Sequence, residues 1–260
     1  MNRPLRNMTL KNEIELYWSD RAATFDQSVS HRIEDRFGLP EWNAFLCAAF
    51  GLGRDGTLVG RRVLDLACGT GEISRVLTGL GAEVTAVDLS ETMLALARAK
   101  MAGRSWQGHL ADAEALHLLD DAAFDHAVTR HLAWTLTDPL AAYREWRRVL
   151  KPGGSLLIVD GNWAAPRPPL HRLRHWLADM LDRKSPRDGA DRVAHDAIVQ
   201  RLPYGAGLTR ERLERDLRQA GFTHLRPLPV NRLYGAGMRG HALADRLRQT
   251  ATHRFALVAS

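Results

Sequence analysis

The chain has 260 residues, 45% hydrophobic and 25% charged, which is enough apolar material for one substantial core and one α/β domain. Its formal net charge is +6, unevenly spread: residues 165–260 hold half of the 36 basic residues but only 9 of the 30 acidic ones. Those basic residues are nearly all arginines, interleaved with acids along helical stretches such as 209–220, so solvated helix faces are expected and a nucleic-acid surface is not.

In chain order, Met1 to Asn7 lead into a polar segment without an apolar leader, and no later run has the unbroken apolar length of a membrane span. The two cysteines, Cys47 and Cys68, are far apart; they exclude a disulfide scaffold or a cysteine-rich zinc site and fit a reducing cytoplasm. A soluble, cytoplasmic protein is expected. Residues 1–58 read as a helical cover, with helices near 10–25 and 40–50, ahead of a domain over 59–260. From residue 60 apolar β-rich runs alternate with helical periodicity. Strands are predicted at 62–67, 83–87, 105–110, 124–129 and 155–160, with helices at 72–80, 91–101 and 140–150. The last of these helices is stopped by Pro152-Gly-Gly154. Such alternation predicts parallel strands joined by crossover helices, a doubly wound α/β sheet. Residues 161–208 break the rhythm as a helical insertion after the fifth strand. It has a bend at Pro166-Arg-Pro-Pro169 and an apolar stripe through Leu170, Leu173, Trp176, Leu177, Met180 and Leu181, expected to pack as a lid on the acceptor side or else to serve as a surface elaboration or dimer contact. A helix at 209–220 and strands at 222–230 and 253–259 complete the chain.

The chemistry concentrates in Val63-Leu-Asp-Leu-Ala-Cys-Gly-Thr-Gly-Glu-Ile-Ser74, a buried strand ending in a glycine turn that opens a helix. Gly69 and Gly71 let ligand atoms approach the backbone, and Asp65 sets a carboxylate where it suits a ligand ammonium and not a pyrophosphate. Asp88 ends the next strand, placed to accept from ribose hydroxyls. Asp112-Ala-Glu114 follows the third strand, where a carboxylate can take an adenine amino group. The nicotinamide fingerprint G-x-G-x-x-G/A is not met, because Ser74 stands at its last position.

Together these segments resemble the class I S-adenosylmethionine-dependent methyltransferase superfamily, with the closest likeness to its ubiquinone/menaquinone-type and related small-molecule branch. The carrying residues are Asp65-Leu-Ala-Cys-Gly-Thr-Gly71, Val87-Asp-Leu-Ser90 with Met93, Asp112-Ala-Glu114, and Arg147-Arg-Val-Leu-Lys-Pro-Gly-Gly154. The resemblance implies a Rossmann-like, mostly parallel seven-stranded sheet in the order 3-2-1-4-5-7-6. It also implies methyl transfer from S-adenosylmethionine to a small-molecule acceptor, leaving S-adenosylhomocysteine. The cofactor contacts it implies are Tyr17, Arg21, Asp65, Ala67, Gly69, Gly71, Asp88, Leu89, Met93, Asp112, Ala113, Glu114 and Arg130. Tyr17 closes over the cofactor in that reading, or is part of an aromatic stripe packed into the core.

On the acceptor side, His131 is a base, a substrate partner or a packing histidine. Asp160 is a base, an orienting group or a buried strand-end carboxylate. Trp134, Asn162 and Trp163 line the substrate cavity or belong to the core. No metal site, nucleic-acid partner or membrane span is expected, and the protein is expected as a monomer or homodimer. The other readings are a non-catalytic binder of the same cofactor on the same fold and, more remotely, a nicotinamide-dependent reductase.

Overall fold

A computed structural model describes residues 8–53, 55–165, 168–181, 189–250 and 253–260. Pro166 and Arg167 of the Pro-rich bend, and Met1 to Asn7, lie outside the described residues. The chain opens with α1 (Leu10–Ser19), α2 (Ala22–Phe25) and α3 (Gly38–Ala49). Thr9 starts α1 through a capping box with Asn12, which satisfies orphan N–H groups at the helix end. The single helix expected over 10–25 is broken at Asp20 and Arg21. The Asp20 N–H closes onto Leu16 O and Trp18 O, and a new short turn begins at Ala22.

Next come β1 (Arg62–Leu66), α4 (Glu72–Gly79), β2 (Glu83–Asp88), α5 (Glu91–Lys100), β3 (Trp106–Leu110), β4 (Phe124–Arg130), α6 (Pro139–Val149) and β5 (Leu150–Gly161). Strand β5 is longer than expected. Leu150 already pairs with Phe124, and the register then jumps to Ser155 opposite His126, so Pro152-Gly-Gly154 forms an irregularity inside the strand and does not precede it. Beyond β5 lie α7 (Pro169–Leu181), α8 (Gly189–Val199), α9 (Arg210–Gln219), β6 (Leu225–Leu228), α10 (Asn231–Tyr234), α11 (Leu243–Gln249) and β7 (Arg254–Ala259).

The strands of the described residues form one seven-stranded sheet in the order β3-β2-β1-β4-β5-β7-β6. Only β7 runs antiparallel to its neighbours β5 and β6; the remaining pairs are parallel. Period-2 alternation divides the sheet between two cores. Leu64, Leu66, Ile158 and Leu257 face Tyr143 and Trp146 of α6 and Leu213 and Leu217 of α9. Val63, Val128, Val159 and Val258 face Trp42 and Phe45 of α3 and Val76 and Leu77 of α4. Trp146 is fully buried with its Nε1–H on Ala113 O at 2.7 Å, so truncating it to Ala costs about 3–5 kcal/mol.

Two insertions rise from the edge where β1 to β5 end: α7 with α8 after β5, and α10 with α11 between β6 and β7. The second was not foreseen. The two pack on each other through α7 and α11, with Arg248 donating to Ala178 O and Asp179. The stripe on α7 is not buried as expected: Leu170, Leu173, Trp176, Met180 and Leu181 are at least half exposed, and only Ala178 of that helix is buried. Among the described residues, no helix is long and apolar enough to cross a membrane, and both cysteines are free.

Candidate cofactor and acceptor site

The β1–α4 turn carries left-handed backbone at three places: Ala67 (φ 55°), Gly69 (φ 55°) and Gly71 (φ 85°). A side chain at Gly71 would press on Ala97 Cβ at 3.3 Å, so that glycine lets α5 approach; Gly69 is overlaid by the Phe25 ring, 3.6 Å from an ideal Cβ. Ala67 holds its conformation against a steric cost of roughly 1–2 kcal/mol, the kind of strain that gathers at functional turns.

The three strand-end acids have different surroundings. Asp65 is buried, takes the Ser74 hydroxyl at 2.6 Å, and is pushed up to about 7 by burial; Ser74 in turn receives Trp106 Nε1 at 2.9 Å. Asp88 accepts from Gly69 N at 2.7 Å and Ser90 N at 2.9 Å, clamping the first turn to the second, and burial holds its carboxyl above the usual range. Asp112 accepts from Glu114 N at 2.8 Å and is gripped by Lys11 of α1. Although burial pulls the other way, the bond to Asp112 and the charge of Glu114 hold the Lys11 ammonium above its ordinary value.

Residues 9–31 run along this edge and meet each strand end in sheet order. Lys11 reaches Asp112 after β3, and Ser19 Oγ lies 2.7 Å from Ser90 Oγ after β2. Asp26 takes Thr70 Oγ1 and Lys100 Nζ beside the β1 turn. The carbonyls of Ser30 and His31 take both terminal nitrogens of Arg130 at the end of β4. Ile33 N then donates to Glu72 at 2.8 Å. Tyr17 lies within this cover, with the Arg21 guanidinium 3.3 Å above its ring and Arg21 Nη1 donating to Tyr17 O at 2.6 Å.

The acceptor end is built from β4, β5 and the residues after them. His131 is a non-glycine residue at φ 63°, edge-on to Trp163 with ring centroids 5.2 Å apart, and its Nε2 is buried without a partner. Burial and the Arg130 charge hold its pKa well below the ordinary histidine value, so it is neutral at physiological pH. His31 lies 6.1 Å from it, stacks on Phe25 at 3.8 Å, and is held down at about 4 chiefly by burial. Asp160 is pushed up to about 7 by burial. It accepts from Gly161 N at 2.8 Å, Trp163 Nε1 at 3.1 Å and Trp134 N at 3.3 Å, so it orients the Trp163 indole and the main chain at Trp134. Asn162 lies against Gly207 with its Oδ1 unpartnered. Trp134 joins Ile14, Tyr17 and Trp18 with Thr135 and His195, Ile198 and Val199 around a cavity closed to about 10 Å³, so α8, and not α7, meets the cofactor cover.

The other expected contacts have these surroundings within the chain. Glu114 shares Lys11 with Asp112, its Oε2 3.4 Å from the ammonium, while its oxygens accept from Thr137 N at 2.8 Å and Asp138 N at 2.7 Å. Ala113 sits in the core below, and Met93 is buried behind the Ser90 cap. Leu89, half-buried, stays at the β2 turn. Arg130 braces main chain, and only its Nε is unpartnered. Sequence reasoning missed Lys11, Phe25, His31, His195 and Arg254. Each is recognisable only once distant segments meet. Among the described residues, no group of three or more His, Cys, Asp or Glu side chains is placed to hold a metal ion.

The geometry suits a nucleoside carrying an amino acid. Carboxylates at three successive strand ends disfavour a pyrophosphate, and Thr129 Oγ1, Arg130 Nε and His131 Nε2 are buried without partners at the end of β4.

Comparison with known proteins agrees. Residues 64–158 match the model of a methyltransferase domain family. The chain is 38% identical over 116 residues to a demethylmenaquinone methyltransferase of Clavibacter sepedonicus, covering 44% of this chain and 46% of that protein. It is 35% identical over 136 residues to a ubiquinone/menaquinone biosynthesis C-methyltransferase of a Shewanella species, covering 50% and 52%. The chain thus spans about half the length of the curated relatives it matches. Among solved structures, a phosphoethanolamine N-methyltransferase of Haemonchus contortus, bound to S-adenosyl-L-methionine, superposes with a TM-score of 0.63 at 16% identity, over 99% of this chain and 61% of that one. An S-adenosylmethionine-dependent methyltransferase from Aquifex aeolicus gives 0.53 at 18% identity, over 97% and 98%. At such identities these two speak for the fold. Residues 64–158 thus match a methyltransferase domain, and in strand order and fold the chain is similar to class I S-adenosylmethionine-dependent methyltransferases.

Proposed function

We propose that the protein transfers a methyl group from S-adenosylmethionine to a small-molecule acceptor. The single observation behind this reading is the row of carboxylates Asp65, Asp88 and Asp112 along one sheet edge, beside unpartnered polar atoms at the end of β4. Asp88 holds the cofactor's ribose and the glycine turn its amino acid part, Asp65 favours its ammonium, and Asp112 faces its adenine. The cofactor, when bound, supplies an electrophilic methyl group on a sulfonium.

The protein's part is to position the acceptor and exclude water, and orientation of this kind contributes about 7–11 kcal/mol. Phe25, His31 and Trp134 form an aromatic wall, with the partly exposed Trp163 at its rim. His131 acts as a neutral hydrogen-bond partner, since a general base needs a pKa near the working pH. Asp160 acts by fixing the Trp163 indole and the main chain at Trp134. Names of the curated relatives support a small organic acceptor. We read residues 1–58 as a cover on a domain of residues 59–260, acting in the cytoplasm without nucleic acid or metal, as a monomer or homodimer.

The test pairs calorimetry with label transfer. S-adenosylhomocysteine should bind and NADH should not, and label from methyl-labelled S-adenosylmethionine should enter a small-molecule extract only with the protein present. Binding of S-adenosylhomocysteine with no transfer to any extract would point to the non-catalytic binder, and binding of NADH alone would contradict both.

A further inference from the structure

Arg254 opens β7 opposite Gly161, the last residue of β5, on the face that also carries Ala256 and Val258. It lies at the acceptor end of the edge, across the sheet from the acids of β2 and β3. Its guanidinium rests 3.9 Å from the Tyr234 ring centroid and 5.5 Å from that of Trp163, and its Nη2 donates to the Gln249 side chain. Nε and Nη1 are shut off from solvent without a hydrogen-bond partner.

Among the described residues no carboxylate compensates this charge. The groups around it are Tyr234, the second guanidinium of Arg130, and the neutral imidazoles of His131 and His31. Arg130 offers no counter-charge either, since its terminal nitrogens are spent on two main-chain carbonyls. Asp160, the nearest strand-end acid in sequence, has its oxygens on N–H groups of Gly161, Trp163 and Trp134. A buried, unpaired cation is costly, and a chain that keeps one gains from an anion that arrives with a ligand. Tyr234 also lines a cleft of about 270 Å³ whose charged lining residues, Arg239 and Arg246, are both basic.

We propose that Arg254 is the anchor for the methyl acceptor, and that the acceptor is a small organic anion whose carboxylate or phosphate group binds the unpartnered N–H groups of Arg254 while its apolar body lies against Trp163 and Tyr234. This rests on the methyl-transfer reading above. Charge-assisted hydrogen bonds from a guanidinium make this the strongest polar contact open to an acceptor at this end of the site.

The experiment titrates the full chain, saturated with S-adenosylhomocysteine, with benzoate, with its neutral isostere benzamide and with inorganic phosphate. Tryptophan fluorescence and calorimetry are the readouts. Benzoate should saturate and bind more tightly than benzamide, and Arg254→Gln should weaken benzoate by about thirtyfold while S-adenosylhomocysteine affinity stays within about twofold. Equal benzoate affinity in wild type and variant overturns the proposal. So does an equal loss of S-adenosylhomocysteine affinity, which would give Arg254 to the cofactor's own carboxylate. Failure of S-adenosylhomocysteine to bind the wild type counts instead against the methyl-transfer reading. Arg254→Met gives a second readout without ligand. A thermal midpoint that holds or rises fits a cation kept for a ligand, and a fall makes Arg254 a structural cation and overturns the assignment.

Discussion

The two ends of the sheet edge are finished differently. Over β3, β2 and β1, residues 9–26 tie down each strand end with a hydrogen bond or ion pair, so the polar groups there are largely satisfied within the chain. From the end of β4 across β5 and β7, buried polar atoms on Thr129, Arg130, His131, Asn162 and Arg254 are left without partners, and the apolar stripe of α7 faces outward. A surface whose hydrogen bonds close internally is set before any ligand arrives. One with orphaned buried groups carries a cost that a ligand can relieve. On the proposed function, the contrast separates a preformed cofactor cradle from an acceptor end completed by its substrate.

The largest expected effect tests the acceptor end through pH. A carboxyl whose folded pKa lies above its unfolded value keeps its proton longer in the folded state, so its burial penalises folding as the pH rises from about 4 to about 7. Asp160, at about 7, behaves so, as does Asp65. His31 and His126, held down at about 4, work in the opposite sense, because acid below about 6.5 protonates the unfolded chain first. Asp160→Asn removes one carboxyl from this balance. Its stability relative to wild type should improve by about 4 kcal/mol between acid and neutral pH, read from urea midpoints across that range. A difference that stays constant would mean Asp160 titrates normally.

At the cofactor end, Asp88→Ala removes the clamp on Gly69 and Ser90 together with the proposed ribose contacts. Affinity for S-adenosylhomocysteine should drop by about 3 kcal/mol or more, measured by calorimetry. Unchanged affinity would place the ribose elsewhere. Glu114→Ala sharpens the contrast: about 2 kcal/mol of stability should go with the bonds to Thr137 and Asp138, while cofactor affinity is kept. A selective loss of affinity would give Glu114 to the adenine. Smallest is Lys11→Ala. Its half-buried ion pair with Asp112 contributes about 1 kcal/mol or less, visible as faster amide exchange in α1, and exchange at the wild-type rate would show that the pair holds nothing.

What could be read in advance follows the same division. Asp65, Gly69, Gly71 and Asp88 sit in contiguous strand–turn–helix units, so their placement needed only local pattern. The position of β7 between β5 and β6 came from resemblance, because periodicity carries no information on strand order. The bond of Glu114 to Thr137 went unread because that partner lies 23 residues away in another loop. The α7 stripe showed which face is apolar but not what covers it. The α10–α11 insertion went unread because a helix of four residues is too short for periodicity to register, and Arg254 looked like an ordinary strand start.

Hydrogen exchange of the full chain with and without S-adenosylhomocysteine tests the division most directly. The account predicts new protection in the β1–α4 turn, in the β2–α5 turn around Asp88 and in residues 9–31, with α7, α10 and α11 unchanged until an anionic acceptor is added. Protection centred on α10 and α11 with S-adenosylhomocysteine alone, and none at the glycine turn, would contradict it.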